Sequence, residues 1–172
     1  MKGGDVVPTF VLHVATGKED EVKVALESFP LTQTFHFWVP KRPIHKKKQG
    51  VVWLRYETLF PGYVLADGDD FVKLYKALIH FTNEHFYTLL EKRGEGGKTV
   101  TEDEKKIISK LTGEISQGIL EDGRVKFIAG DLMGLEGSVQ KFDKRKSNVL
   151  LRMELLGEMT DIWTAVNMVD KI

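Results

Sequence analysis

Nucleotide chemistry in this chain would have to lie at Gly94-Glu95-Gly96-Gly97-Lys98-Thr99. A glycine-rich loop closed by Lys and Thr cradles phosphates when a strand leads into it and a glycine stands five positions before the Gly-Lys-Thr glycine. That position is Lys92, and no strand of the βαβ kind precedes it, so a linker is the better reading. The histidines, His13, His36, His45, His80 and His85, contain no His-Glu-x-x-His pattern, and His80 and His85 do not share a helix face. Asp67-Gly68-Asp69-Asp70 lacks calcium-loop spacing and reads as a turn followed by a helix cap. The absence of cysteine excludes thiol catalysis, disulfides and Cys-ligated metals. No Ser-His-Asp arrangement can be argued from spacing. The chain is therefore not read as an enzyme, and no catalytic residue, metal or cofactor is expected.

Binding is the remaining chemistry. The 25 basic and 25 acidic residues cancel, which argues against indiscriminate coating of nucleic acid. Their distribution is uneven. Lys41, Arg42, Lys46, Lys47, Lys48 and Arg55 fall in a stretch without an acid, and Lys141, Lys144, Arg145 and Lys146 crowd around Asp143. Lys46, Lys47 and Lys48 read either as a solvated hairpin tip or as contacts to DNA or RNA phosphates. The second cluster, with Arg152 on the far face of its strand, reads as a solvated turn or as an RNA contact. The major groove of an A-form duplex is too narrow to read, so bulges and loops would be its targets. Phe60 and Tyr63, flanking Pro61-Gly62, are core aromatics beside a turn or an exposed docking patch.

These residues need elements to hold them. Thr9–Val14 reads as a strand, and Thr16 with Glu19 reads as a capping box for a helix burying Val22, Ala25, Leu26 and Phe29. Thr34–Val39 reads as a strand stopped by Pro40 and Pro43. A hairpin follows with Lys46–Lys48 at its tip and Val51–Tyr56 as its second strand. Tyr63–Ala66 reads as a buried strand. A helix capped by Asp69 or Asp70 then presents Phe71, Leu74, Tyr75 and Leu78. This order suggests an α+β sandwich over residues 1–91. Residues 92–120 read as a linker: glycines in Lys92–Gly97, a helix opened by Thr101 and Glu104 with Ile107, Ile108, Leu111 and Ile115 on one face, and breaks at Gly113 and Gly118. Residues 121–172 read as a small all-β barrel. Val149, Leu151, Met153 and Leu155 face inward against Leu150, Arg152 and Glu154, and a bulge lets both Val139 and Phe142 point inside. The longest apolar runs, Val51–Leu54 and Tyr63–Ala66, are far shorter than the ~20 residues of a membrane helix. The start Met1–Asp5 lacks a signal-peptide core, so a soluble cytoplasmic protein is expected.

Several of these motifs together resemble the NusG-type transcription elongation factors. Phe10-Val11-Leu12-His13, Thr16-Gly17-Lys18-Glu19, Val39-Pro40-Lys41 and Leu59-Phe60-Pro61-Gly62-Tyr63-Val64 resemble that family's N-terminal NGN domain, and Val125 to Gly137 resembles its KOW motif. The form of the KOW motif and the chain length are most similar to specialised paralogues of the LoaP antiterminator type. The resemblance implies an NGN-like sandwich joined to an SH3-like KOW barrel, with an apolar patch that grips the clamp helices of RNA polymerase. Carried over, that patch comprises Phe10, Phe60, Pro61, Gly62 and Tyr63, with Trp53 in the hairpin arm added. It further implies a monomeric antitermination factor whose basic barrel residues, Lys141, Lys144, Arg145, Lys146 and Arg152, bind a nascent RNA hairpin. Lys46–Lys48 would then lie near the nucleic-acid scaffold, including non-template DNA. A general elongation factor whose barrel binds proteins, and a ribosomal-type RNA-binding module, are the alternatives. Two departures stand out. Housekeeping members often carry Gly-Pro-Phe where this chain has Gly130-Asp131-Leu132, which puts ribosome and Rho contacts in doubt. Thr9-Phe10 replaces their Trp-Tyr pair.

Overall fold

The computed structural model describes residues 7–92 and 96–170. The chain divides into two compact units, the first formed by residues 1–40 and 60–101 and the second by residues 41–59 and 102–172.

In the first unit, β1 (Thr9–Val14), β2 (His36–Trp38), β5 (Tyr63–Asp67) and β6 (Phe86–Leu89) form a four-stranded sheet in the order β2-β5-β1-β6. β1 runs antiparallel to both β5 and β6, and β2 antiparallel to β5. Two helices supply the opposing apolar face: α1 (Glu19–Ser28) through Val22 and Leu26, and α2 (Phe71–Ile79) through Leu74 and Leu78. They close on Phe10, Leu12, Val14, Phe37, Val64 and Ala66, the period-2 set that one face of a sheet presents. α2 is capped as expected, the Asp70 carboxylate accepting from the Lys73 N–H at 3.0 Å. Tyr75 departs from expectation. It is exposed on α2, with Ala77 buried in its stead, because the packed stripe runs through Leu74, Ala77 and Leu78.

Two further departures concern local signals overridden at long range. β6 has no counterpart in the sequence reading, since its four residues carry no clean alternation. The stretch read as a flexible joint is partly paired: β7 (Glu91–Lys92) runs antiparallel to β8 (Gly96–Gly97), Lys98 N–H donates to Leu90 C=O and Val100 N–H to Thr9 C=O. Residues 93–95, including Gly94 and Glu95 of the rejected phosphate loop, lie outside the described residues. Gly97 is there for space. A Cβ on it would fall 2.5 Å from the Phe71 ring and 2.9 Å from the Phe10 ring.

In the second unit, β3 (Lys41–Lys48) and β4 (Val51–Thr58) form a hairpin. Its two-residue turn places Gln49 at φ 51° and Gly50 at φ 78°, the doubly left-handed conformation that matches strand twist. β3 continues through Pro43, which was expected to stop a strand; with only β4 as neighbour, one edge needs no N–H. Following α3 (Glu102–Thr112), β9 (Ser116–Glu121), β10 (Arg124–Ala129), β11 (Val139–Asp143), β12 (Asn148–Leu155) and β13 (Glu158–Met168) build a five-stranded sheet in the order β10-β9-β13-β12-β11. β9 pairs parallel to β13, and the other neighbours pair antiparallel. The all-β region thus starts at Ser116, inside the stretch read as linker, and Gly118 lies within β9 rather than breaking the chain. The expected bulge in β11 is present, the register shifting between Val139 and Lys141. Leu150, expected to face solvent with Arg152 and Glu154, is buried like Val149 and Leu151, so both faces of β12 are covered at that point.

The hairpin is held within this unit by a side chain acting as backbone. Asn148, buried in β12, accepts from His45 N–H at 2.9 Å and donates to His45 C=O at 2.9 Å. His45 Nδ1 lies 2.9 Å from Ser147 C=O, which can only accept, so this nitrogen carries the proton. Thr164 Oγ1 donates to Pro43 C=O at 3.1 Å.

Replacing Gly97 with Ala pushes two core rings apart, and we expect a loss of about 1–3 kcal/mol in urea unfolding of the full chain. A midpoint equal to that of the parent would show that the rings yield freely.

Candidate functional site

The Phe60-Pro61-Gly62-Tyr63 segment is built around one buried carboxylate. Glu19, 5% exposed, accepts from Gly62 N–H at 2.7 Å and from Gly17 N–H at 3.1 and 3.0 Å through its two oxygens. The expected capping box is therefore not formed. Lys18 occupies the N-cap without a side-chain bond, and Glu19 is spent on joining two turns. Gly62 sits at φ 87°, with Val14 N–H donating to its carbonyl at 2.8 Å and Tyr63 N–H to Phe60 C=O at 3.1 Å. A side chain there would combine left-handed strain with close approach to Thr16 Oγ1 at 3.3 Å.

This turn delivers Tyr63 to the sheet face opposite the helices. Tyr63 pairs with His13 across β5 and β1, their rings 5.7 Å apart, and His13 meets Tyr87 of β6 edge-on at 5.2 Å. Tyr87 is 57% exposed, while Tyr63 and His13 are half-buried. The result is an aromatic row over three adjacent strands with exposed Pro61 at one end. The other residues named from the sequence are placed differently. Phe10 is 4% exposed within the helix-facing core, stacked 5.5 Å from Phe71, so its ring supports the sheet and offers little surface. Phe60 is buried as well. Trp53 belongs to β4 in the second unit, half-exposed among Val51, Val52, Leu54 and Tyr56. His13 and Tyr87 were missed. His13 shares a strand face with Val11 and so was legible as facing away from Leu12, but Tyr87 required knowing β6.

The basic residues fall into two groups. In the hairpin, Lys47 and Lys48 are exposed beside the turn, whereas Lys46 is tied to Glu57 at 2.7 Å. The Lys46 hydrogen bond draws the Glu57 carboxyl below its ordinary value, aided by Arg42 and Arg55. Burial pushes the Arg42 guanidinium down, with Glu57 opposing. In the barrel, the Asp143 carboxylate accepts from Arg145 N–H at 2.9 Å and Lys146 N–H at 3.2 Å, folding the tip so that Lys144, Arg145 and Lys146 all point outward. Arg152 is held in a two-pronged pair with Asp161, at 2.8 and 3.2 Å. That pairing raises the guanidinium and, together with nearby Lys141, lowers the Asp161 carboxyl. Arg152 therefore offers less free charge than the tip residues.

The loop between β10 and β11 is also fixed by a carboxylate. Glu136 accepts from Phe127 N–H at 3.2 Å and Gly134 N–H at 3.0 Å, and Ser116 Oγ accepts from Leu132 N–H at 2.9 Å. Leu132, at the position where the resembled family often shows an aromatic, is 3% exposed and turned into the unit. Among the described residues, no three His, Asp or Glu side chains gather to hold a metal, and no helix is long and apolar enough to cross a membrane.

No protein-family model matches the sequence. No curated protein matches it either. Among solved structures, NusG from Thermotoga maritima, determined in a study of its domain interaction, is similar over 95% of this chain and 96% of its own, with a TM-score of 0.64 and 19% identity. The architecture is thus an α+β NGN-like sandwich with a small KOW-type β unit. In particular, the chain has a NusG-like fold.

Glu19→Ala leaves the Gly17 and Gly62 N–H groups without an acceptor, and we expect about 1–3 kcal/mol of destabilisation with faster amide exchange at Gly62. Unchanged exchange there would contradict the role given to Glu19. For Glu57, whose folded value is lowered, the stabilisation is present at neutral pH and is lost as pH falls through its folded value. Parent protein should lose more of its urea midpoint between about pH 6 and about pH 3 than Glu57→Gln does.

Proposed function

We propose that this protein is a transcription elongation factor of the antiterminator kind, which holds RNA polymerase through its first unit and a structured nascent RNA through its second. The observation that carries the reading is the partly exposed aromatic row of Tyr63, His13 and Tyr87, set beside a rigid Phe-Pro-Gly-Tyr turn in a NusG-like fold. Aromatic rings of this kind bury large area at low entropic cost, and a pair of helices, such as the polymerase clamp helices, suits a ring-lined surface. Bridging the clamp favours its closed state and suppresses pausing and termination. The protein itself does no covalent chemistry and needs no cofactor in this reading.

Polymerase contact is assigned to the first unit, residues 1–40 and 60–101, and RNA contact to the five-stranded sheet of the second, which begins at Ser116; the protein acts as a monomer in the cytoplasm. The exposed tip Lys144, Arg145 and Lys146, with Lys141 beside it, supplies phosphate contacts to a nascent hairpin; Arg152 contributes only if its pair with Asp161 opens. Lys47 and Lys48 serve DNA or RNA near the polymerase scaffold, and Lys46 does so less because Glu57 holds it.

Tyr63→Ala should abolish binding to core RNA polymerase while leaving the circular dichroism spectrum and unfolding midpoint of the chain nearly unchanged. Retained polymerase binding by that variant would remove the assignment. Reversing Lys144 and Arg145 to Glu should weaken RNA binding and flatten its salt dependence without affecting polymerase binding. Equal loss of both activities would point instead to a folding defect, and loss of neither to a barrel that docks proteins.

A further inference from the structure

Phe142 stands opposite Val149 in the β11–β12 ladder, and cross-strand partners share a face. Val149 is completely buried, yet Phe142 is only half-buried. The cause is topological. β10 and β11 are the two ends of the five-strand order and do not pair among the described residues, so the interior opens along the seam between them. A cavity of about 520 Å³ lies there, lined by Arg124 and Val125 of β10 and by Val139, Gln140, Lys141 and Phe142 of β11. Phe142 also walls a second cavity of about 400 Å³, with Lys144 on its rim.

The chemistry of the seam is specific. Val125, Val139 and Phe142 supply apolar surface within a lining otherwise polar, and among the described residues both bordering strands present an edge whose backbone donors and acceptors lack a strand partner. Arg124 has no carboxylate partner among the described residues, and the Glu136 carboxylate at the rim is committed to Phe127 and Gly134 N–H groups. A ring accessible from two cavities, with Arg124 and Lys141 lining one and Lys144 and the acid Asp170 lining the other, matches a nucleotide: a base to stack and phosphates toward the cations. A recessed ring cannot reach a base inside a stacked duplex, so the nucleotide must be unpaired. Building on the RNA-binding reading above, we propose that the seam between β10 and β11 holds one unpaired nucleotide of the bound RNA, its base on Phe142 and its phosphates on Arg124, Lys141 and Lys144.

The test uses the full chain with two fluorescent probes, decauridylate and a fully paired twelve-base-pair RNA, titrated over a range of salt. Phe142→Leu keeps an apolar side chain but loses the stacking face. It should weaken decauridylate binding about tenfold with an unchanged salt slope, leave the duplex affinity alone, and be rescued by Phe142→Tyr. If Phe142→Leu binds decauridylate like the parent while Lys144→Glu with Arg145→Glu still weakens it, the seam is not the site although RNA binding stands. Equal weakening of both probes by Phe142→Leu would likewise overturn the seam. If the parent binds neither probe, the seam holds no unpaired nucleotide and this inference falls, while the grip on a folded hairpin is decided separately by selection from structured RNAs.

Discussion

A buried carboxylate is tolerable only when its oxygens are satisfied, and in the first unit Glu19 meets that requirement with the N–H groups of Gly17 and Gly62. The same bonds fix the bend between β1 and α1 to the turn that starts β5. With that joint rigid, Val14 and Gly62 share a hydrogen bond and Tyr63 is set in register with His13. The aromatic row inherits its order from this arrangement: an acid inside the unit positions rings outside it.

The second unit solves a different problem, that of edges. Its hairpin has only two strands, and such a ribbon is marginal by itself. Asn148 extends the bonding by mimicking a peptide group toward His45, and Thr164 reaches Pro43. Among the described residues the five-stranded sheet, by contrast, leaves its terminal strands β10 and β11 unpaired with one another, and Phe142 marks the gap. Charge at the barrel tip is presented for a related reason. Asp143 spends its carboxylate on backbone N–H groups and leaves the three following cations pointing to solvent.

Much of this was legible from residues close in sequence. The apolar spacing of Val22 and Leu26, a cap at Asp69 or Asp70 and the β11 bulge are local patterns present in the structure; the hairpin is present too, but its turn is Gln49-Gly50 and Lys46–Lys48 lie within β3. What escaped reading depends on partners far along the chain. Glu19 looks like a capping residue until Gly62, 43 positions away, claims it. Nothing near Asn148 in the sequence announces its pairing with His45, 103 positions away. Gly97 reads as a hinge because nothing nearby reveals that Phe10 and Phe71 occupy the space of its missing side chain. Of the candidate site, Tyr63 and the lysine-rich tips were visible as residue types. The burial of Phe10 and Phe60, the capture of Lys46 and Arg152 by acids, and the addition of His13 and Tyr87 were matters of tertiary structure.

The central claim is that one protein joins a general grip on polymerase to an addressed grip on RNA. Its most direct test is selection of the full chain against a pool of structured RNAs, under excess nonspecific competitor at physiological salt. The account predicts enrichment of one hairpin family carrying unpaired nucleotides. Survivors with no common structure would contradict it and leave a general elongation factor whose barrel meets another protein.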